Sequence, residues 1–433
     1  MDKWNNVCLG ELLIESKIPS DNPDPDKRIT VRLNVEGVEK RPYRKETKGA
    51  TKYYIRKAGQ FIYGKQNLHK GAFGIIPEEL DGFESTIDLP SFDIDKSKVL
   101  PEWLMLILTK DNFYKELESI ASGSATKRIH PERLFQVKIP LPGISEQKEI
   151  LKKHNKFKVY HREISNIIND SEDYINKLRK SILQEAVQGK LVPQDPNDEP
   201  ASVLLEKIKE EKERLIKEGK IKKEKPLPPI TEVEISHEIP KGWEWVRLGD
   251  IGDWGAGATP PRNDPRYYNG EILWLKTGEL NDGYIDDSEE KITELALKEC
   301  SLRLNKPGDV LIAMYGATIG KLGILNVEAT TNQACCGCTP FSQVYNRYLF
   351  YLLLSLRRKF KEQGAGGAQP NISKQKIINT VVPLPPLNEQ KRIAQKVDQL
   401  MELCDELEKN IEQSKQDSEL LMQSVLQEAF NED

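Results

Sequence analysis

The sequence has no apolar run approaching the about 18 residues that a membrane-spanning helix needs. Its best candidates, residues 104–109 and 348–356, have the length of core segments. That excludes a chain built on membrane helices. Residues 1–7 lack the basic-then-apolar layout of a secretion signal. Cysteine is scarce: six residues, at 8, 300, 335, 336, 338 and 404, form no paired framework. A reducing, cytoplasmic setting is therefore expected. Excess charge of one sign is also missing. Lys and Arg number 64 against 68 Asp and Glu, a net charge of -4, so any surface for nucleic acid must be local. Neither an Asn-Pro-Pro-Tyr-like tetrapeptide nor the glycine-rich cofactor signature of an adenine methyltransferase is present.

What the sequence does have is a repeat. At 433 residues two or three domains are expected, and self-similarity is the first thing to seek. Residues 139–148, Ile-Pro-Leu-Pro-Gly-Ile-Ser-Glu-Gln-Lys, return 243 positions later as residues 382–391, Val-Pro-Leu-Pro-Pro-Leu-Asn-Glu-Gln-Lys. The same offset carries residues 181–186 onto 424–429 without a gap. Near the start, Trp4, Val7, Leu9, Gly10 and Glu11 fall on Trp243, Val246, Leu248, Gly249 and Asp250 at an offset of 239. Each copy is a variable globular part followed by a segment of fixed length.

That segment reads as a helix, with prolines before it and none inside. Ser145 or Asn388 stands in capping position, and Glu146 or Glu389 in the first turn. In the second copy Ile393, Val397, Leu400, Cys404, Leu407, Ile411, Ser414, Ser418, Leu421 and Val425 alternate steps of four and three, the seam of a coiled coil. The first copy has Ile150, His154, Phe157, His161, Ile164, Ile168, Ser171, Ile175, Leu178 and Ile182 at the matching places. An antiparallel pairing is expected, with one globular part at each end of a dumbbell. A helix of about 45 residues is about 65 Å long at about 1.5 Å per residue, enough to serve half-sites about one duplex turn apart. Residues 189–200 should end the first helix in a turn. A shorter helix from Ala201 to about Gly219 should follow, then an extended linker over residues 220–229.

The doubled Pro-Leu-Pro…Glu-Gln-Lys helix start, the join at residues 184–191 and the Trp-x-x-Val-x-Leu-Gly opening of each copy resemble the specificity subunits of Type I restriction-modification systems. The resemblance covers nearly the whole chain and is weaker over residues 12–58. It implies an α+β protein: two mixed α/β target-recognition domains separated by long antiparallel coiled-coil helices, with pseudo-twofold internal repeat. The expected boundaries are 1–142 for the first domain, 143–190 for the first long helix, 191–235 for the second central helix and linker, 236–381 for the second domain and 382–433 for the second long helix. The implied partners are double-stranded DNA with a bipartite target, two DNA methyltransferase (modification) subunits and restriction endonuclease subunits, with no membrane. No cofactor is expected on this chain. S-adenosylmethionine, ATP and magnesium are implied for the partner subunits.

Phosphate contacts need cations, and aromatic rings stack or wedge against bases. The sharpest local charge excess is residues 40–57, with Lys40, Arg41, Arg44, Lys45, Lys48, Lys52, Arg56 and Lys57 against Glu46, and Tyr43, Tyr53 and Tyr54 interleaved. A glycine-bounded turn follows with Lys65, Gln66, His69 and Lys70, donors suited to base edges. The second copy offers three segments. One is the loop Thr259, Arg262, Asn263, Arg266, Tyr267 and Tyr268; another is Tyr315 to Gly323 with Thr318 and Lys321; the third is residues 364–371 with Gln369. Asn332 and Gln333 add amides. For each of these singly, base contact and an ordinary turn or core role stand as alternatives. The basic run 357–361 reads either as a helix C-terminus or as a phosphate contact.

Three weaker patterns are set aside. Gly316, Gly320 and Lys321 are one residue short of a phosphate-binding loop and lack its Ser or Thr. Cys335, Cys336 and Cys338 lack a second ligand pair and read as a buried strand. Asp24, Glu46 and Lys48 fit a loose nuclease pattern that a chain 30% charged produces by chance. Two rival functions remain: a self-contained nuclease or methyltransferase, and a helical scaffold indifferent to DNA.

Overall fold

The structure is a computed structural model that describes residues 4–43, 51–123, 126–365 and 370–431. The chain divides into two compact units, residues 1–167 with 415–433, and residues 168–414.

The first unit is built on a four-stranded antiparallel sheet in the order Leu13–Ser16, Ser91–Ile94, Phe61–Tyr63, Phe73–Ile75. Successive side chains of a strand face opposite sides. Phe61 and Tyr63 accordingly enter a core with Phe73, Phe92 and Trp103, while Ile62 joins Ile29, Ile76 and Leu80 on the other face. The second unit repeats the plan with Gly252–Ala256, Cys335–Pro340, Val310–Ala313 and Leu322–Leu325, and adds Gly283–Ile285 in parallel at the edge. Val310 and Ile312 face one core, Leu311 and Ala313 another. A two-stranded ribbon closes each unit: Val7 opposite Ile139 in one, Val246 opposite Val382 in the other. The duplicated globular parts, the two expected readers, thus share a common core plan.

The repeated Glu-Gln pair fixes each long helix to its reader. Gln147 is fully buried; its Oε1 accepts from Leu100 N–H (2.9 Å) and its Nε2 donates to the carbonyls of Lys98 and Pro142. Gln390 does the same with Tyr345 N–H (2.8 Å) and the carbonyls of Gln343 and Pro385. Trp4 donates to Glu146 (3.1 Å) and Trp243 to Glu389 (2.9 Å). The helices, Ile144–Val187 and Leu387–Asn431, begin two residues earlier than the capping pattern predicts. Ser145 and Asn388 therefore lie inside the first turn rather than at its cap.

Each unit contains both long helices side by side. In the first, residues 157–167 face Ser418, Leu421 and Met422 across an apolar groove of about 370 Å³. In the second, Arg179 reaches Asp405 (2.6 Å), Glu408 (3.0 Å) and the Met401 sulfur. The early half of one helix meets the late part of the other, so the pairing is antiparallel. Ile168, Ile175, Ile182, Ile393, Val397 and Cys404 are buried, and Phe157, Leu400 and Ile411 half-buried. Five predicted seam residues are instead exposed among the described residues: Ile164, Leu178, Leu407, Ser414 and Leu421. Ile150 packs into the first reader's core. A strict seam drifts by about 20° per heptad on a straight helix, so its members leave the contact line. The side chain of Val425 lies outside the described residues.

The shorter helix, Ala201–Lys217, buries Leu204 and Ile208. The linker after it is extended but strapped to the second reader. Arg247, 3% exposed, donates to the carbonyls of Pro228 (2.7 Å), Pro229 (2.9 Å) and Asn379 and pairs with Glu234 (3.0 Å). Lys374 pairs with Glu224 (2.6 Å).

Candidate nucleic-acid interface

In the first reader Arg44, Lys45 and Lys48 lie outside the described residues, as does Glu46. Lys40 ends the strand Val38–Lys40 and is exposed, Arg41 is half-buried beside it, and Lys52 is exposed. Arg56 departs from the expected basic surface. It is 2% exposed and donates to Ser85 Oγ (2.7 Å), Ser16 O (2.9 Å) and Leu89 O (3.0 Å), and burial pulls its pKa down to about 10. Its guanidinium also lies over the ring of half-buried Tyr54, and Arg28 lies 3.6 Å over that of Tyr53. These rings and Arg56 hold the small sheet of Ile18–Pro19, Tyr53–Ile55 and Glu84–Thr86 together.

The glycine-bounded turn is only partly a donor surface. Lys70 is exposed and Gln66 half-buried, whereas Lys65 is 7% exposed. Its backbone is engaged on both sides, N–H to Asp88 O (3.0 Å) and O from Ile129 N–H (2.8 Å), which draws the residue into the fold. His69 is half-buried, and among the described residues its Nδ1 has no hydrogen-bond partner. Gly71 sits at φ 80°, and a Cβ there would approach Val35 N to 2.8 Å, so the turn requires glycine. Sequence reasoning missed the neighbouring bridge of Ser122 with Arg128. Its signal was the 243-residue offset, which places residues 122–128 on 365–371.

In the second reader four separated segments converge. Thr259 hydrogen-bonds Gln333, the neighbouring Ala334 carbonyl accepts from Met314 N–H (2.8 Å), and Tyr315 bridges Asn371. Thr259, Gln333, Tyr315 and Asn371 are all exposed. Thr318 caps the same turn through Tyr315 O (2.8 Å), and Lys321, half-buried, donates its N–H to Thr318 O (2.8 Å). Gln369 lies outside the described residues.

Beside Thr259, Arg262 lies over the rings of Tyr268 and Trp274, 4.9 Å from each, and pairs with Glu290 (2.6 Å) at the edge of a polar recess of about 430 Å³. Lys276 pairs with Glu289 (3.0 Å) and Glu290 (3.1 Å). Arg266 pairs with Asp264 (2.6 Å), and Asn263 is exposed. Tyr267 is buried; its hydroxyl donates to Glu299 (2.8 Å), which, with burial, pushes its pKa up to about 12. It is a packing residue. Tyr268 donates to Pro260 O (2.6 Å) and shapes the loop.

Arg357 opens a new helix, Arg357–Gly364, rather than capping the preceding one, and ties Gly320 O (2.7 Å) to Asp282. Arg357 itself acts as a strut between these two segments. Cys335, Cys336 and Cys338 lie in a buried strand, and burial raises all three thiol pKa values.

Two readers with matched cores, each ending in an exposed polar rim and joined to a long helix by the same Glu-Gln clamp, are a distinctive combination. The family described as Type I restriction modification DNA specificity domain matches residues 1–177 and 240–414, both copies of the repeat. The chain belongs to this family. Among individual members of the specificity family, the EcoAI specificity subunit of Escherichia coli is 30% identical over 389 residues, 76% of this chain and 64% of that protein. The EcoEI specificity subunit of the same species is 32% identical over 278 residues, 60% of this chain and 46% of that protein. These matches span less than two thirds of either relative. The fold is shared with the HsdS subunit of Thermoanaerobacter tengcongensis: TM-score 0.62, 20% identity, 99% of this chain and 97% of that one. A chain from a study of complex assembly and conformational transition of the type I R-M system gives TM-score 0.67 at 19% identity, covering 99% and 98%. Among the described residues, no helix is long and apolar enough to cross a membrane.

Proposed function

We propose that this chain is the noncatalytic, cytoplasmic DNA-reading subunit of a Type I restriction-modification complex, recognising a target in two halves. The observation that carries this reading is the duplicated reader: one four-strand core, built twice, with different side chains on its exposed rim. Two copies of one fold with different rims suit two different half-sites.

The same helices dock two modification subunits. Exposed apolar residues recur at matching places of the repeat: Tyr160 (47%) with Leu403 (53%), Ile164 (37%) with Leu407 (46%), and Leu178 (44%) with Leu421 (54%). A patch repeated in this way favours two copies of one partner. The modification subunits supply S-adenosylmethionine chemistry. Restriction subunits supply ATP- and magnesium-dependent cleavage, and this chain holds no cofactor.

The test is sequencing of methylated sites on DNA exposed to the assembled complex. A bipartite motif is expected, and replacing residues 236–381 with another family member's reader should change one half alone. A change in both halves, or methylation without sequence preference, overturns the reading.

A further inference from the structure

The 243-residue offset holds in the rims as well as in the helices. Ile129 and Ile372 are both fully buried. Each donates its N–H to the chain just as it leaves the central strand of its sheet, Ile129 to Lys65 O (2.8 Å) and Ile372 to Met314 O (2.9 Å). The residue before each isoleucine therefore emerges at the same point of the two readers. In the first reader it is Arg128; in the second it is Asn371.

Both side chains are available. The Arg128 side chain is 42% exposed; among the described residues its Nε has no hydrogen-bond partner, and its ion pair with Asp88 is long, at 3.9 Å, beyond hydrogen-bonding distance. Asn371 is exposed. Both are set on a rigid frame beside donors already named. Arg128 flanks the Lys65 turn, and Asn371 bridges Tyr315 while the Pro370 carbonyl accepts from Gly316 N–H (2.9 Å). A phosphate contact built into both readers would keep a cation in both. Here a fixed frame carries two different base-reading chemistries.

We propose that Arg128 and Asn371 are equivalent specificity-determining residues: Arg128 reads a guanine through O6 and N7 in one half-site, and Asn371 reads an adenine through N6 and N7 in the other. The assignment rests on the DNA-reading function proposed above.

The test is selection from duplexes randomised across both half-sites, using the complex assembled with its modification subunits. Arg128→Lys keeps the charge but loses the planar fork. It should reduce discrimination for guanine at one position of one half-site by about 5- to 150-fold and leave the other half-site intact. Asn371→Ala should do the same for one adenine in the opposite half. The unaltered reader in each variant reports a correctly assembled complex. Uniform weakening with both motifs intact would make these residues phosphate contacts and overturn the assignment. So would loss of a whole half-site with Arg128→Lys, or relaxation at a base other than the one named. If the unmodified complex selects no sequence, the DNA-reading function itself fails, a result distinct from a selective complex indifferent to both variants.

Discussion

The indole N–H of Trp243 donates to the buried carboxylate of Glu389 across 2.9 Å, joining the opening residue of the second reader to the first turn of the second long helix. Gln194 donates to the other oxygen (2.7 Å). Glu389→Ala leaves a buried indole without an acceptor and should cost about 1–3 kcal/mol. Denaturant unfolding of the chain checks this; a loss below about 0.5 kcal/mol would mean that water replaces the carboxylate.

Gln390 and Gln147 each satisfy three backbone groups with one buried amide. Gln390→Ala is expected to destabilise the second unit, and Gln147→Ala the first, by about 1–3 kcal/mol or more. Hydrogen exchange resolved by segment should show each loss in its own unit. Equal loss in both would contradict the separate clamps.

These clamps explain how much of the architecture was legible. The Pro-Leu-Pro…Glu-Gln motif is short and exact because a fully buried amide tolerates no change of length, and that rigidity made the repeat visible. The long helices followed from their periodicity. The seam was legible only in part: Ile393 and Val397 are buried, but Leu407 at the same spacing is 46% exposed, because the period is an average and contact is local. Lys65 and Arg56 look like DNA contacts by residue type, yet backbone pairing and a serine-lined pocket draw them inside. Burial of a lone cation depends on distant segments that local composition does not record. The bridge between Ser122 and Arg128 was missed for a related reason: no charge cluster marks it, only its place in the repeat.

The strap of the linker gives a pH signature. Glu234 is held by Arg247 and by the N–H and hydroxyl of Thr231, and these hydrogen bonds lower its pKa from 4.5 to about 2. A depressed carboxylate pKa contributes stability that is present above 4.5 and lost as pH falls toward 2. The melting temperature of the native chain should exceed that of Glu234→Gln at neutral pH, and the gap should close through that acid window. A gap that stays constant with pH would remove Glu234 as its source.

Exposed and buried helix positions should separate stability from assembly. Ile393→Ala removes a fully buried side chain and should cost about 2–5 kcal/mol. Leu407→Glu alters an exposed one and should change stability by no more than about 0.5 kcal/mol, while weakening capture of a modification subunit. Mass measurement of the reconstituted complex reads the second effect. Full occupancy by two partners with Leu407→Glu would move the docking surface elsewhere.

Arg262 sits in a balanced charge cluster on the rim proposed to face DNA. Its guanidinium is held flat over Tyr268 and Trp274, yet Glu290 pairs with both it and Lys276. On the proposed function, Glu290 would compete with a phosphate for the same cations. Glu290→Gln should free them, raising affinity for non-cognate duplex and steepening its salt dependence by about 0.9 in log–log slope for each cation that gains a phosphate. Fluorescence anisotropy of the assembled complex over a range of salt concentrations gives both quantities. An unchanged slope would place Arg262 and Lys276 away from the DNA backbone and leave the aromatic bracket as a packing device alone.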